Sequence, residues 1–186
     1  SIFGGDGLLN LAYLIMIAFV SNKLTKNYIN GINIISKAAG INGMIAGQAV
    51  DIESEGKSID IDTMKFIHSN KTGALIEASI VAAAVMSDAD DTRIAALKTY
   101  AKYIGLAFQI TDDILDIEGN EAELGKKIGS DELNDKATYP KYFGLEKSKE
   151  YAKNTITNAI ESLNVFEPRE KAFFVDLADY IICRKK

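Results

Sequence analysis

Asp112, Asp113 and Asp116 stand in the stretch GLAFQITDDILD, residues 105–116, whose apolar spacing predicts a helix. Asp112 and Asp116 are four residues apart and share a helix face, and Asp113 lies one position round, so all three carboxylates can reach toward one groove. No basic residue falls within a turn of them. Like charges at this spacing cost roughly a few tenths of a kcal/mol per pair, and oxygen ligands gathered without Lys or Arg suit a hard divalent cation. Mg²⁺ is the natural candidate, because it usually takes one or two carboxylates, keeps several waters and completes its shell with substrate phosphate oxygens. The alternative is that these aspartates are only the solvated, acidic end of an amphipathic helix.

Other polar residues stand where close-packed apolar helices are expected. In GQAVD, residues 47–51, Gln48 and Asp51 fall three apart on one face, beside a glycine small enough to let a ligand approach. Lys71 and Thr72 sit at the mouth of the strongly apolar segment 78–86; the lysine is either a surface residue or an ammonium aimed at a phosphate. His68 reads as a partly buried structural residue, since the sequence shows no second His or nearby acid to pair with it. GKKIGSD, residues 125–131, could fold over an anion as a lid or be a solvated connector. Basic residues at the C-terminus, Arg184 among them, would complement a helix dipole.

Helical periodicity predicts the elements that must carry these residues. An apolar helix over 6–21, expected to be buried, is followed by a turn over 22–27 and a long helix over 28–55 with four interspersed glycines, which imply close packing or a kink. Asp60 or Asp62 caps the next helix, the central helix covers 92–117, and a loop covers 118–136. Pro140 fits a first helical turn, a further helix spans 145–163, and the last begins near Arg169. No strand alternation appears, so the fold is expected to be all-α, a single domain over residues 1–186 with helices around an apolar interior.

Composition narrows the function classes. The chain has 186 residues, is 47% hydrophobic and 25% charged, and carries a net charge of −5 with no basic aromatic stripe, which argues against nucleic acid. Its single cysteine leaves no disulfide framework and fits a cytoplasmic setting. The apolar run 8–20 is too short to span a bilayer, and no basic region precedes it. The chain opens abruptly in an apolar helix without Met, so an N-terminal portion is expected to be missing.

Taken together and in order, GDGLL (5–9), GQAVDIESEGK (47–57), HSNKTGALI (68–76), GLAFQITDDILD (105–116), GKKIGSD (125–131) and KATYP (136–140) resemble the trans-isoprenyl diphosphate synthases, or polyprenyl synthetases, and most closely the bacterial short-chain farnesyl diphosphate synthases. The resemblance implies a helical bundle around a deep cavity and the Mg²⁺-dependent condensation of an allylic diphosphate, dimethylallyl or geranyl, with isopentenyl diphosphate. It implies that Asp112, Asp113 and Asp116 hold metal and that Lys71, Lys126 and Lys136 meet the allylic diphosphate. Thr72 and Gln109 would place oxygens near the allylic cation; Gln48 and Asp51 would line the cavity, and Arg184 would close over the second diphosphate. A homodimer is also implied. The family's first aspartate-rich motif is not in this sequence, which implies missing N-terminal helices and an inactive fragment. The alternatives are a non-catalytic partner subunit of a heteromeric synthase, a terpene cyclase or head-to-head synthase, and a lipid-binding helical bundle.

Overall fold

The computed structural model describes residues 2–119 and 136–184. Among them are nine α-helices, one π-helical turn and no strand: α1 (Ile2–Asn22), α2 (Lys26–Ala39), α3 (Met44–Ser54), α4 (Ile61–Ile67), the π turn (His68–Gly73), α5 (Ala74–Met86), α6 (Asp91–Glu118), α7 (Tyr139–Phe143), α8 (Leu145–Ser162) and α9 (Pro168–Cys183). The all-α expectation holds.

Capping residues set several boundaries. The Asp60 carboxylate accepts from the Thr63 N–H at 2.7 Å to start α4, and Asp90 accepts from the Arg93 N–H at 2.9 Å to start α6. Such caps contribute about 1 kcal/mol each. The central helix matches its expected span to within a residue at each end. The expected single helix over 28–55 is two helices. Gly40 ends α2 in an extended conformation, and a Cβ on Gly43 would lie 2.8 Å from the Ala38 carbonyl carbon, so the chain turns back tightly between α2 and α3.

The 28-residue α6 is the spine, packed by α5, the π turn, α8 and α9. Tyr100, Ala101, Ala107 and Ile110 on it are almost inaccessible. Its first half joins Ile156, Ala159, Ala178 and Ile181 in one apolar cluster; its second half joins Met64, Tyr139 and Ala152 in another. Each large side chain buried this way stabilises the fold by roughly 1.5–3 kcal/mol.

Helix α1 departs from expectation. It is 21 residues long, from Ile2 to Asn22, and is long and apolar enough to cross a membrane. Val20 is its only buried residue. The reason is geometric: α1 meets the rest of the molecule near its C-terminal end, where the Phe19 and Tyr28 rings meet edge to face at 5.3 Å.

Candidate active site

The π turn carries the residues on which the site is built. A π turn adds a residue to the helical repeat and re-aims the side chains that follow it. Here it delivers His68, Lys71 and Thr72 to the wall of a cavity of about 300 Å³, which Asp51 of α3 and Phe108, Gln109, Asp112 and Asp113 of α6 also line. Two glycines let neighbouring helices close on its backbone. A Cβ on Gly47 would lie 2.7 Å from the Lys71 Cα, and one on Gly105 would lie 3.1 Å from the Gly73 Cα. Gly47 therefore admits the backbone of the π turn, where the sequence suggested room for a ligand.

Three polar clusters lie in or beside this cavity. In the first, the Lys71 ammonium donates to the Asp51 carboxylate at 2.5 Å, with both side chains half-buried. This pairing spans 20 positions and joins two residues that the sequence offered separately. In the second, the Thr72 hydroxyl donates to Gln109 Oε1 at 3.0 Å, the Gln109 amide nitrogen donates to Asp113 Oδ1 at 3.0 Å, and the Tyr139 N–H donates to Asp113 Oδ2 at 2.9 Å. In the third, Arg184 stacks its guanidinium over the Phe108 ring at 4.0 Å, donates to the Phe108 carbonyl at 3.2 Å and lies 3.6 Å from Asp112. The Arg184 side chain is 10% exposed, so it does more than cap the end of α9.

His68 is buried, and its ring stacks on Tyr139 at 5.8 Å. Burial pushes its pKa down to about 4. Asp51 acts in the opposite direction, so an acid does lie near it, contrary to the sequence reading, but desolvation wins. The Tyr139 phenol is pushed up to about 12, first by burial and then by Asp113.

The three aspartates differ. The Asp112 side chain is 35% exposed and meets the cavity, whereas Asp113 and Asp116 are each 2% exposed. Among the described residues no group of three acidic, His or Cys side chains is assembled closely enough to hold a metal by itself. The exposed Asp112 carboxylate is the one of the three with room to share a Mg²⁺ with water and phosphate oxygens. Gln48, Asp116 and Arg184 are not among the residues lining the cavity; Lys136 is. Lys126 lies outside the described residues. Lys57, Ser54 and Glu55, which sequence reasoning did not single out, line the cavity from the end of α3 onward, and the GQAVDIESEGK stretch that contains them was the available signal.

The cavity thus combines cationic and acidic groups with oriented hydroxyl and amide oxygens against the apolar Met64, Ile67 and Phe108. Known proteins share the chain's pattern. It is 38% identical to the chloroplastic geranylgeranyl pyrophosphate synthase of Catharanthus roseus over 185 residues, covering 99% of this chain and 52% of that protein. It is also 38% identical to the farnesyl diphosphate synthase of Bacillus subtilis over 150 residues, covering 80% of this chain and 51% of that protein. The chain spans about half the length of the curated relatives it matches. The Helicobacter pylori geranyltransferase, crystallised with magnesium and isoprenyl diphosphate, superposes with a TM-score of 0.77 at 29% identity, covering 96% of this chain and 57% of that one. The polyprenyl synthetase family model matches residues 1–174, and with the all-α bundle and the shared motifs it places this chain in the polyprenyl synthetase family.

Proposed function

We propose that the protein containing this chain is a prenyltransferase that joins an allylic diphosphate, dimethylallyl or geranyl, to isopentenyl diphosphate and releases farnesyl diphosphate. The observation that carries this reading is the meeting of Lys71, the Thr72–Gln109 pair and Asp112 around one cavity with apolar walls. Breaking an allylic carbon–oxygen bond separates a diphosphate anion from a carbocation, and the two need different surroundings. Lys71, Lys126 and Lys136 supply positive charge for the anion. Asp112, on the acidic face it forms with Asp113 and Asp116, would hold Mg²⁺, which when bound neutralises developing phosphate charge. Thr72 and Gln109 present oxygens to the cation, while the apolar wall keeps water from it. Asp51 holds the Lys71 ammonium in place, Gln48 stands beside it on α3, and Arg184 meets the second diphosphate from the end of α9.

The active protein is proposed to be a cytoplasmic homodimer; the exposed apolar side chains of α1 support the association. The 186-residue chain alone is proposed to be inactive, since Asp112 is the one aspartate of its acidic face that is substantially open to the cavity among the described residues.

The test is product analysis with the full gene product, Mg²⁺, geranyl diphosphate and radiolabelled isopentenyl diphosphate. Farnesyl diphosphate is expected, and Asp112→Ala should lower turnover by at least about 100-fold. A geranylgeranyl product would overturn the assigned chain length. Normal turnover of Asp112→Ala at all Mg²⁺ concentrations would remove Asp112 from the metal site.

A further inference from the structure

We propose that Asp113 is a positioning residue and not a metal ligand: its carboxylate fixes the orientation of the Gln109 amide, and through it the direction of the Thr72 hydroxyl. Donors and acceptors fix the orientation. An ionised carboxylate only accepts hydrogen bonds, so the atom of Gln109 that meets Asp113 Oδ1 at 3.0 Å has to be the amide nitrogen. The amide oxygen is then turned toward Thr72, and at 3.0 Å it accepts the single hydroxyl proton of that residue. With its proton committed, Thr72 can act toward anything in the cavity only as an acceptor. The hydrogen-bond chain therefore runs in one direction, with Asp113 as its fixed end.

The other carboxylate oxygen is committed as well. Asp113 Oδ2 accepts from the Tyr139 N–H at 2.9 Å, which sets the rotation of the carboxylate from the first residue of α7. The Tyr139 ring in turn stacks on His68 of the π turn that carries Thr72, so both ends of the chain of bonds rest on the same framework. Asp113 is 2% exposed, a poor place for an ion that sheds its waters reluctantly. The neighbouring Asp112, at 35%, has the access that Asp113 lacks.

This inference rests on the prenyltransferase reading for its consequence. A cation forming beside Thr72 and Gln109 is stabilised by oxygen lone pairs and opposed by an O–H or N–H hydrogen. Asp113 selects the favourable orientation without touching the reacting atoms. Replacing it with Asn supplies a side chain that can donate as well as accept, and the direction of the whole chain is no longer imposed.

The test compares four variants of the full gene product: Asp112→Asn, Asp113→Asn, Gln109→Glu, and the double variant Gln109→Glu/Asp113→Asn. In the double variant only the 109–113 bond reverses, with the asparagine amide donating to the glutamate, while Thr72 still donates to position 109, the Tyr139 N–H still donates to position 113, and the net charge is unchanged. Asp113→Asn is expected to lower kcat on the order of 100-fold, with the allylic KM and the Mg²⁺ concentration for half-maximal rate each within about twofold of wild type. The double variant should recover at least about tenfold in kcat over Asp113→Asn, whereas Asp112→Asn should shift the Mg²⁺ dependence.

A Mg²⁺ shift for Asp113→Asn as large as that for Asp112→Asn, without recovery in the double variant, would overturn the proposal. A second readout needs no turnover. Thermal midpoints of the same set should show coupling between positions 109 and 113, the double variant melting above the sum of the single effects. If Gln109→Glu alone does not fold, folding of the double variant is itself that coupling. Additive shifts would overturn the hydrogen-bond network even if wild-type prenyl transfer were absent, and absent transfer with intact coupling would count against the proposed function alone.

Discussion

Glycine means opposite things at the two ends of this molecule. In α1, a Cβ built on Gly5 or Gly7 meets nothing within 4 Å. At the site, a single carbon added to Gly47 would run into the backbone of the π turn, and one added to Gly105 would make a tight contact with it. Both regions are apolar and helical, yet α1 buries one residue in 21, while α6 buries its whole inward face. What separates them is whether a neighbouring backbone arrives, and sequence composition does not encode that. The comparison also says where stability should be sensitive to substitution: around residues 47, 68, 72 and 105, and hardly at all along α1.

The sharpest way to break the comparison is to add one methyl group at each end. Gly47→Ala should destabilise the fold by about 3 kcal/mol, because its Cβ would lie 2.7 Å from the Lys71 Cα and 2.8 Å from the Asn70 carbonyl carbon, and backbone cannot rotate away as a side chain can. Gly5→Ala or Gly7→Ala, in open space within a helix, should be neutral or stabilising by up to about 1 kcal/mol. Denaturant unfolding of the three variants measures both. Equal effects would mean that the π turn is not clamped.

The second prediction uses pH. Burial lowers the His68 pKa to about 4, so the folded state favours the neutral ring. Above pH 6.5 both folded and unfolded chains carry it neutral, and its contribution is complete. Between pH 6.5 and 4 the unfolded chain takes up a proton that the folded chain refuses, so stability falls as pH falls, and the loss levels off below 4. The total is at most about 3 kcal/mol, smaller at any single pH within the window. His68→Phe should remove this component, leaving only the slope due to carboxylates. Unfolding free energies of wild type and variant at pH 4.5, 5.5 and 7 would show it as converging curves; parallel curves would place the ring in a more solvated setting.

Much of this contrast is legible in the sequence, and the rest is hidden there for identifiable reasons. The α6 boundaries were readable because Asp90 precedes a long amphipathic pattern, and a carboxylate at that position satisfies a free N–H. The break between α2 and α3 was not, because the same glycines serve equally well for close packing within one helix or for a turn between two. The site residues could be gathered by resemblance, but the Lys71–Asp51 pair and the Thr72–Gln109 bond join positions 20 and 37 apart, and such partnerships depend on the tertiary arrangement. The run of apolar residues in α1 reads as core, since a buried helix and an exposed one read alike when the surface that would cover them is elsewhere.

The smallest expected effect probes that last point. Leu14 and Ile15 in α1 are 57% and 61% exposed. Replacing either with Ser in the 186-residue chain removes apolar surface that the fold does not bury, so unfolding free energy should change by no more than about 0.5 kcal/mol. The same substitution at Ile110 or Tyr100 of α6 would leave a cavity or an unpaired polar group and cost several times as much. Association should respond where stability does not. A helix with this much open apolar surface favours self-association or a partner, so Leu14→Ser/Ile15→Ser should shift the 186-residue chain toward smaller species in sedimentation velocity at unchanged melting temperature. A drop in melting temperature without a change in size would instead put α1 inside the cooperative core, and the contrast between the two ends of the molecule would fail.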